Sequence, residues 1–144
     1  MKIKQLDNQH FYYSMLSGAS EVIAAKDSLN AINVFPVPDG DTGSNLAALM
    51  TTILAQAKIQ STPRETSKNL ADAALQGARG NSGIIFAQYL SGLSYHLADE
   101  PTISMDRFVH VVKQAALSAR NTIATQIEGT IITVMHAWAE ALER

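Results

Sequence analysis

Asp39 and Asp41 stand on either side of Gly40 in the stretch NVFPVPDGDTGSN, residues 33–45. Two hard carboxylates on a tight turn suit Mg²⁺, which keeps several waters and takes one or two protein carboxylates alongside phosphate oxygens. For the pair to converge on one point the chain must fold sharply, and Gly40 is free to take the positive φ that does so. Pro36 and Pro38 each disfavour the α conformation in the residue before them, so Asn33 to Pro38 is expected to run extended into the turn. The residues that follow, TGSNL, open a helix whose free N–H groups and positive dipole end would lie beside the metal. Taken together these features read as a metal-phosphate site. Asp-Gly and Asp-Thr-Gly are equally ordinary turn and N-cap chemistry, and these residues alone leave both readings open. A calcium-binding EF-hand does not fit, because with Asp39 as first ligand Ser44 falls where the glycine belongs and Met50 where the bidentate glutamate belongs.

A second polar, glycine-rich break is QGARGNSGIIF, with Gly77, Gly80 and Gly83 spaced by three. It is not a Walker A loop, since no GK[ST] follows, and not a dinucleotide fingerprint, since no strand precedes it. What remains is a bend leading into a helix that starts near Ser82. Its unhindered N–H groups suit a phosphate, and Asn81 and Ser82 add side-chain donors. The alternative is a helix C-cap followed by an N-cap, with glycines admitting close helix packing. Two such loops in one small helical domain strengthen each other, because a nucleotide needs both a phosphate cradle and a metal clamp.

The elements that must hold these loops are helical. From Asp7, an N-cap, to about Ala25, apolar residues Phe11, Met15, Leu16, Ala19, Val22 and Ile23 recur at three- and four-residue spacing. Residues 44–60 repeat the pattern with Leu46, Leu49, Met50, Ile53 and Leu54, and the stripe of Leu46, Met50 and Leu54 is expected in the core. Pro63 suits a first helical turn before TSKNLADAALQGA. The segment IIFAQYLSGLSYHLA forms a further helix, Ser104 caps another over residues 105–124, and GTIITVMHAWAEALE closes the chain. The β-branched run from Ile131 to Val134 is overridden by the helical pattern around it. The expectation is an all-α domain, an antiparallel helical barrel or bundle of about six helices joined by short connections.

Composition bounds the partners. The chain has 144 residues, enough to bury a core without staples, and no cysteine, which removes disulfides and thiolate metal sites. Eleven Lys and Arg against thirteen Asp and Glu give a net charge of -2, which argues against a surface built to neutralise nucleic-acid phosphates. No apolar run nears the roughly 18 residues of a membrane span and no signal-peptide core opens the sequence, so a cytoplasmic chain is expected. Of the histidines, His10 and His110 read as surface or structural, and His136, with Trp138, as core. Arg79, between two glycines, is expected to be solvated.

NVFPVPDGDTGSN, GARGNSGIIFAQ and EGTIITV together resemble the nucleotide-binding DhaL or DAK2 domain of the dihydroxyacetone-kinase family. The form with FPVPDGDTG is closest to the N-terminal domain of bacterial fatty-acid kinases. The resemblance runs along nearly the whole chain, with three separated motifs in the right order. It implies a helical barrel that binds ATP and two Mg²⁺ ions at one end. It also implies that Asp39 and Asp41 are metal ligands acting in catalysis, and that Thr42, Ser44 and Asn45 meet the phosphates. Gly80, Asn81 and Ser82 match the loop over the phosphates, and Gly129 and Thr130 match a helix start lining the nucleotide pocket. Where dihydroxyacetone-type members carry a third aspartate, Asn33 is the nearest polar candidate for a metal ligand. The implied chemistry is phosphoryl transfer without a covalent enzyme intermediate. No general base stands out, which fits a carboxylate acceptor. In similar systems the acceptor arrives on a partner: a DegV-type fatty-acid-binding protein, or a second subunit holding dihydroxyacetone. In the family, further helices follow the EGT helix, whereas this sequence stops at Arg144. A truncated barrel with an uncovered apolar face is therefore expected, and with it either a homodimer or a longer gene product.

Overall fold

The computed structural model describes residues 4–122 and 129–144. Asp7 does cap the first helix: its carboxylate accepts the His10 N–H at 2.8 Å, and α1 runs Asn8–Ala24. A six-residue helix, α2, Lys26–Ala31, follows almost at once and was not expected. Helix α3 spans Thr42–Gln56 and α4 spans Pro63–Gly77, with Pro63 in the first turn as expected. Thr62 Oγ1 takes the Glu65 N–H, the threonine half of a capping box. Helix α5, Gly80–His96, begins two residues earlier than expected. Ser104 caps α6, Met105–Arg120, by accepting from the Arg107 N–H. Residues 123 and 124, expected to extend α6, lie outside the described residues, as does Glu128. Helix α7 spans Ile131–Leu142, so the β-branched run is indeed helical.

Two short strands complete the described elements, β1 at Gln5–Asp7 and β2 at Thr102–Ser104. They pair antiparallel with Leu6 opposite Ile103, fastening the start of the chain to the α5–α6 connection. Three residues each, with only Ile103 buried, are too few to show an alternation in sequence.

The fold is all-α, a bundle in which α3, α4, α5 and α6 pack in succession, α1 lies on α3 and α4, and α7 lies on α6. Its core is unusually rich in alanine: Ala71, Ala73, Ala74, Ala87, Ala115, Ala116 and Ala119 are all buried. Small side chains let the axes approach, and Leu49, Leu70, Leu90, Val111 and Val112 fill the spaces between them. On α3 the buried positions are Leu46, Leu49, Met50 and Ile53, an i, i+3, i+4, i+7 stripe. Leu54 was expected to join them but is 39% exposed; one residue past Ile53 it turns about 100° away from the seam. Trp138 likewise sits at the surface rather than in the core, 46% exposed with its ring edge-on to Phe108 at 6.3 Å. Because α7 rests mainly on α6, its outer side carries Val134 and Trp138 in the open. Among the described residues no helix is long and apolar enough to cross a membrane.

Candidate functional site

The approach to the acidic turn is less straight than its prolines suggest. The chain bends at Phe35 and Pro36, and Asn33 Nδ2 donates to Val37 O at 3.3 Å, closing a small loop around them. Gly40 then takes φ +64°, the left-handed conformation expected of it, and the carboxylates of Asp39 and Asp41 are both exposed on either side of the turn. Among the described residues no three His, Cys, Asp or Glu side chains come together. A cation held here would therefore draw on two carboxylates and complete its shell with water or phosphate oxygens, a set that suits Mg²⁺.

The start of α3 is not free, as its sequence suggested. Asn33 Oδ1 accepts from the Asp41 N–H at 3.1 Å, the Thr42 N–H at 3.0 Å and the Thr42 hydroxyl at 2.7 Å. Asn33 thus acts as an N-cap supplied from eight residues upstream, and its amide oxygen is fully engaged by the backbone it organises. Three residues earlier in the chain, Asn30 does the same for Ser44, two positions beyond Thr42. Its Oδ1 accepts the Ser44 N–H and its Nδ2 donates to Ser44 Oγ, both at 2.9 Å. Gly43 allows this approach: a Cβ there would collide with the Lys26 carbonyl and the Asn30 amide, so only glycine lets α2 lie against α3.

The start of α5 is different. No side chain caps it, and Arg79 before it is exposed, as expected. Gly80, at φ +63°, turns the chain into the helix, and the first N–H groups of α5 are therefore open to an anion. The Ser82 hydroxyl in this first turn is buried without a hydrogen-bond partner, an orphan of the kind that calls for explanation.

The three sequence motifs meet at one end of the bundle. A Cβ on Gly80 would strike the Asn45 side-chain amide, so the glycine-rich loop lies directly on the first turn of α3. A Cβ on Gly129 would lie 3.6 Å from the Phe35 ring, which brings the start of α7 to the acidic loop. Thr133 Oγ1 accepts the Gly129 N–H at 2.8 Å and fixes that turn.

Residues 36–144 match the model of the DAK2 domain. The chain belongs to the DAK2 domain family. It is 34% identical over 136 residues to protein YloV of Bacillus subtilis and 33% identical over 141 residues to an uncharacterised protein of Staphylococcus saprophyticus. A Staphylococcus aureus protein, also uncharacterised, is 30% identical over 141 residues. These alignments cover 93–96% of this chain but only 25–26% of each relative, so the chain spans about a quarter of their length. The DAK2 domain is kinase-related, and the matched segment contains Asp39, Asp41 and both glycine-rich turns. Asn30 and Asn33 precede it. Neither asparagine reads as a cap from spacing alone, because the helix carrying Asn30 is short and the contact is set by Gly43. The one signal was the pair itself, two asparagines three residues apart just ahead of a polar turn.

His10 pairs with Asp7 at 2.8 Å and His110 is exposed, both away from the motifs as expected. His136 is half-buried with Nε2 unpartnered. Burial raises the Tyr89 hydroxyl above the ordinary tyrosine range, which keeps it protonated.

Proposed function

We propose that this chain is the ATP-binding domain of a kinase that transfers the γ-phosphoryl group to a small acceptor presented by a partner protein. The observation that carries this reading is the contact of Gly80 with Asn45, which sets the uncapped start of α5 beside the Asp39–Gly40–Asp41 turn. A phosphate cradle and a pair of carboxylates adjoin, as a magnesium-nucleotide site requires.

The donor set fits the ligand. Asp39 and Asp41 would hold the magnesium ions, two as the family resemblance implies. Asn33, its oxygen engaged by the backbone, serves by holding their turn in shape rather than by a strong metal bond. The Thr42 hydroxyl gives its proton to Asn33 and so turns lone pairs, not a proton, to the site, as suits a cation. Ser44, Asn45 and the N–H groups of Gly80, Asn81 and Ser82 serve the phosphates, and the Gly129–Thr130 turn beside Phe35 borders the rest of the nucleotide. Magnesium, when bound, supplies positive charge that offsets the charge building on the γ-phosphate oxygens during transfer. The protein's own part is alignment: rigid turns and pre-aimed donors that need no rearrangement as the phosphoryl group moves.

No general base stands out in the sequence, which favours an acceptor already ionised. A fatty-acid carboxylate held by a DegV-type protein meets that condition, and dihydroxyacetone on its own partner subunit is the competing acceptor. Isothermal titration with ATP tests the binding: magnesium-dependent binding is expected, and its loss in Asp39→Ala and Asp41→Ala. Binding that ignores magnesium, or survives both substitutions, overturns the reading. Labelled phosphate appearing on fatty acid with a DegV-type protein, against dihydroxyacetone with its subunit, then decides the acceptor.

A further inference from the structure

Ser44 Oγ and Thr42 Oγ1 sit two residues apart at the start of α3, yet each is held by a different asparagine in an opposite sense. Thr42 donates its proton to Asn33 Oδ1. Ser44 Oγ instead accepts from Asn30 Nδ2. The direction of the second bond is not free. A backbone N–H can only donate, so the Asn30 group facing the Ser44 N–H has to be Oδ1, and the group left to face Ser44 Oγ is the NH₂. With one lone pair of Oγ so engaged, its proton must point elsewhere, and Ser44 is exposed toward the site end of the bundle.

We infer that Asn30 is a positioning residue which commits the Ser44 hydroxyl to donate its hydrogen bond to a nucleotide phosphate oxygen. The pair of asparagines thereby sorts two similar hydroxyls: Thr42 offers an acceptor, matched to a cation, and Ser44 a donor, matched to an anion. A serine left to itself rotates freely and presents either face. Fixing the proton in advance removes that loss on binding, and a hydrogen bond to a charged oxygen is stronger than one to a neutral group. The inference rests on the magnesium-nucleotide reading of the site above.

The substitution Asn30→Asp separates positioning from folding. A carboxylate of the same shape still accepts the Ser44 N–H, so the cap survives, and aspartate caps as well as asparagine. Its second oxygen cannot donate, so Ser44 Oγ–H swings round to it and turns lone pairs toward the phosphate. The added negative charge also weakens anion binding, and Ser44→Ala removes the hydroxyl while leaving that charge effect in place. The measurement is therefore a double-mutant cycle read by titration calorimetry with Mg-ATP on the full chain, with thermal melts of every variant. Asn30→Asp is expected to melt like the unsubstituted chain while losing about tenfold in ATP affinity. In the Ser44→Ala background the same change should cost distinctly less, because no hydroxyl remains to be reversed. An equal loss in both backgrounds, or no loss in either, overturns the assignment of Asn30 and leaves the nucleotide site standing. Absence of Mg-ATP binding by the unsubstituted chain overturns both.

Discussion

The two ends of this bundle finish their helices in different ways. At one end α1, α4 and α6 begin, and each is capped by the residue at its own N-cap position: Asp7, Thr62 and Ser104. That end is also cross-tied, by the β1–β2 pair, by Asn8 Nδ2 donating to Gln60 O, and by Thr62 Oγ1 donating to Asp99. At the other end α3, α5 and α7 begin, and none is capped by the side chain at its own N-cap position. There α3 takes its caps from Asn33 and Asn30, and α5 has none. Local capping makes a helix start that is finished and inert. A borrowed cap or a missing one leaves backbone donors, hydroxyls and carboxylates whose arrangement depends on neighbours, which is the condition for binding something.

The sharpest way to break the contrast is at Gly43. Its missing Cβ is what admits α2, and in Gly43→Ala the methyl group would meet the Lys26 carbonyl, a backbone atom that cannot swing aside. Displacing α2 withdraws Asn30 from Ser44 along with it. A loss of about 3 kcal/mol is expected from overpacking against backbone, measured by urea denaturation, together with weakened Mg-ATP binding. Unchanged stability would mean that α2 is loosely seated and that the Asn30 cap does not depend on it.

A smaller effect is expected from Asn33→Ala, which removes the other borrowed cap without disturbing any packed surface. The Asp41 and Thr42 N–H groups lose their acceptor but are near enough to solvent to recover part of it. The cost should be about 1–2 kcal/mol, as for other N-caps. Binding should suffer more than stability, because the turn that carries Asp39 and Asp41 is hinged on the same amide. If Mg-ATP affinity holds while stability falls, Asn33 is a cap and nothing more.

How much of this was legible in the sequence follows the same division. The starts of the self-capped helices could be read from the caps Asp7 and Ser104 and from Pro63 in the first turn of α4, because the residue that signals each start is adjacent to it in the chain; the cap Thr62 itself was not read. Gly40 could be read too, since a turn between two aspartates needs a residue that tolerates positive φ. What could not be read depended on contacts across the fold. Asn30 lies 14 residues from Ser44, in a helix too short to declare itself, and its partner is chosen by the space over Gly43. The surface position of Trp138 follows from which neighbours α7 has, while Leu54 was misplaced by one step of the helix, next to Ile53 but about 100° off its seam. The motifs marked one end of the bundle; the hydrogen bonds that organise that end belong to the tertiary structure.

The mildest expectation concerns the other end, where Asp7 serves as the reference for a self-contained cap. Its pKa is held below the ordinary aspartate value, first by the His10 backbone N–H and next by the His10 side chain. A carboxylate whose folded pKa is depressed adds stability above its unfolded value, near 4, and loses it as the pH falls through the folded one. Asp7→Ala should therefore melt slightly below the unsubstituted chain at neutral pH, and the gap should close as the solution is taken below about pH 4. Because Asp7 is solvent-exposed the gap will be small and will shrink further in salt. Mg-ATP binding should be untouched, since α1 begins at the end of the bundle that holds no motif. A fall in affinity in Asp7→Ala would show that the two ends are coupled through α1, and the separation between finished and unfinished helix starts would then fail.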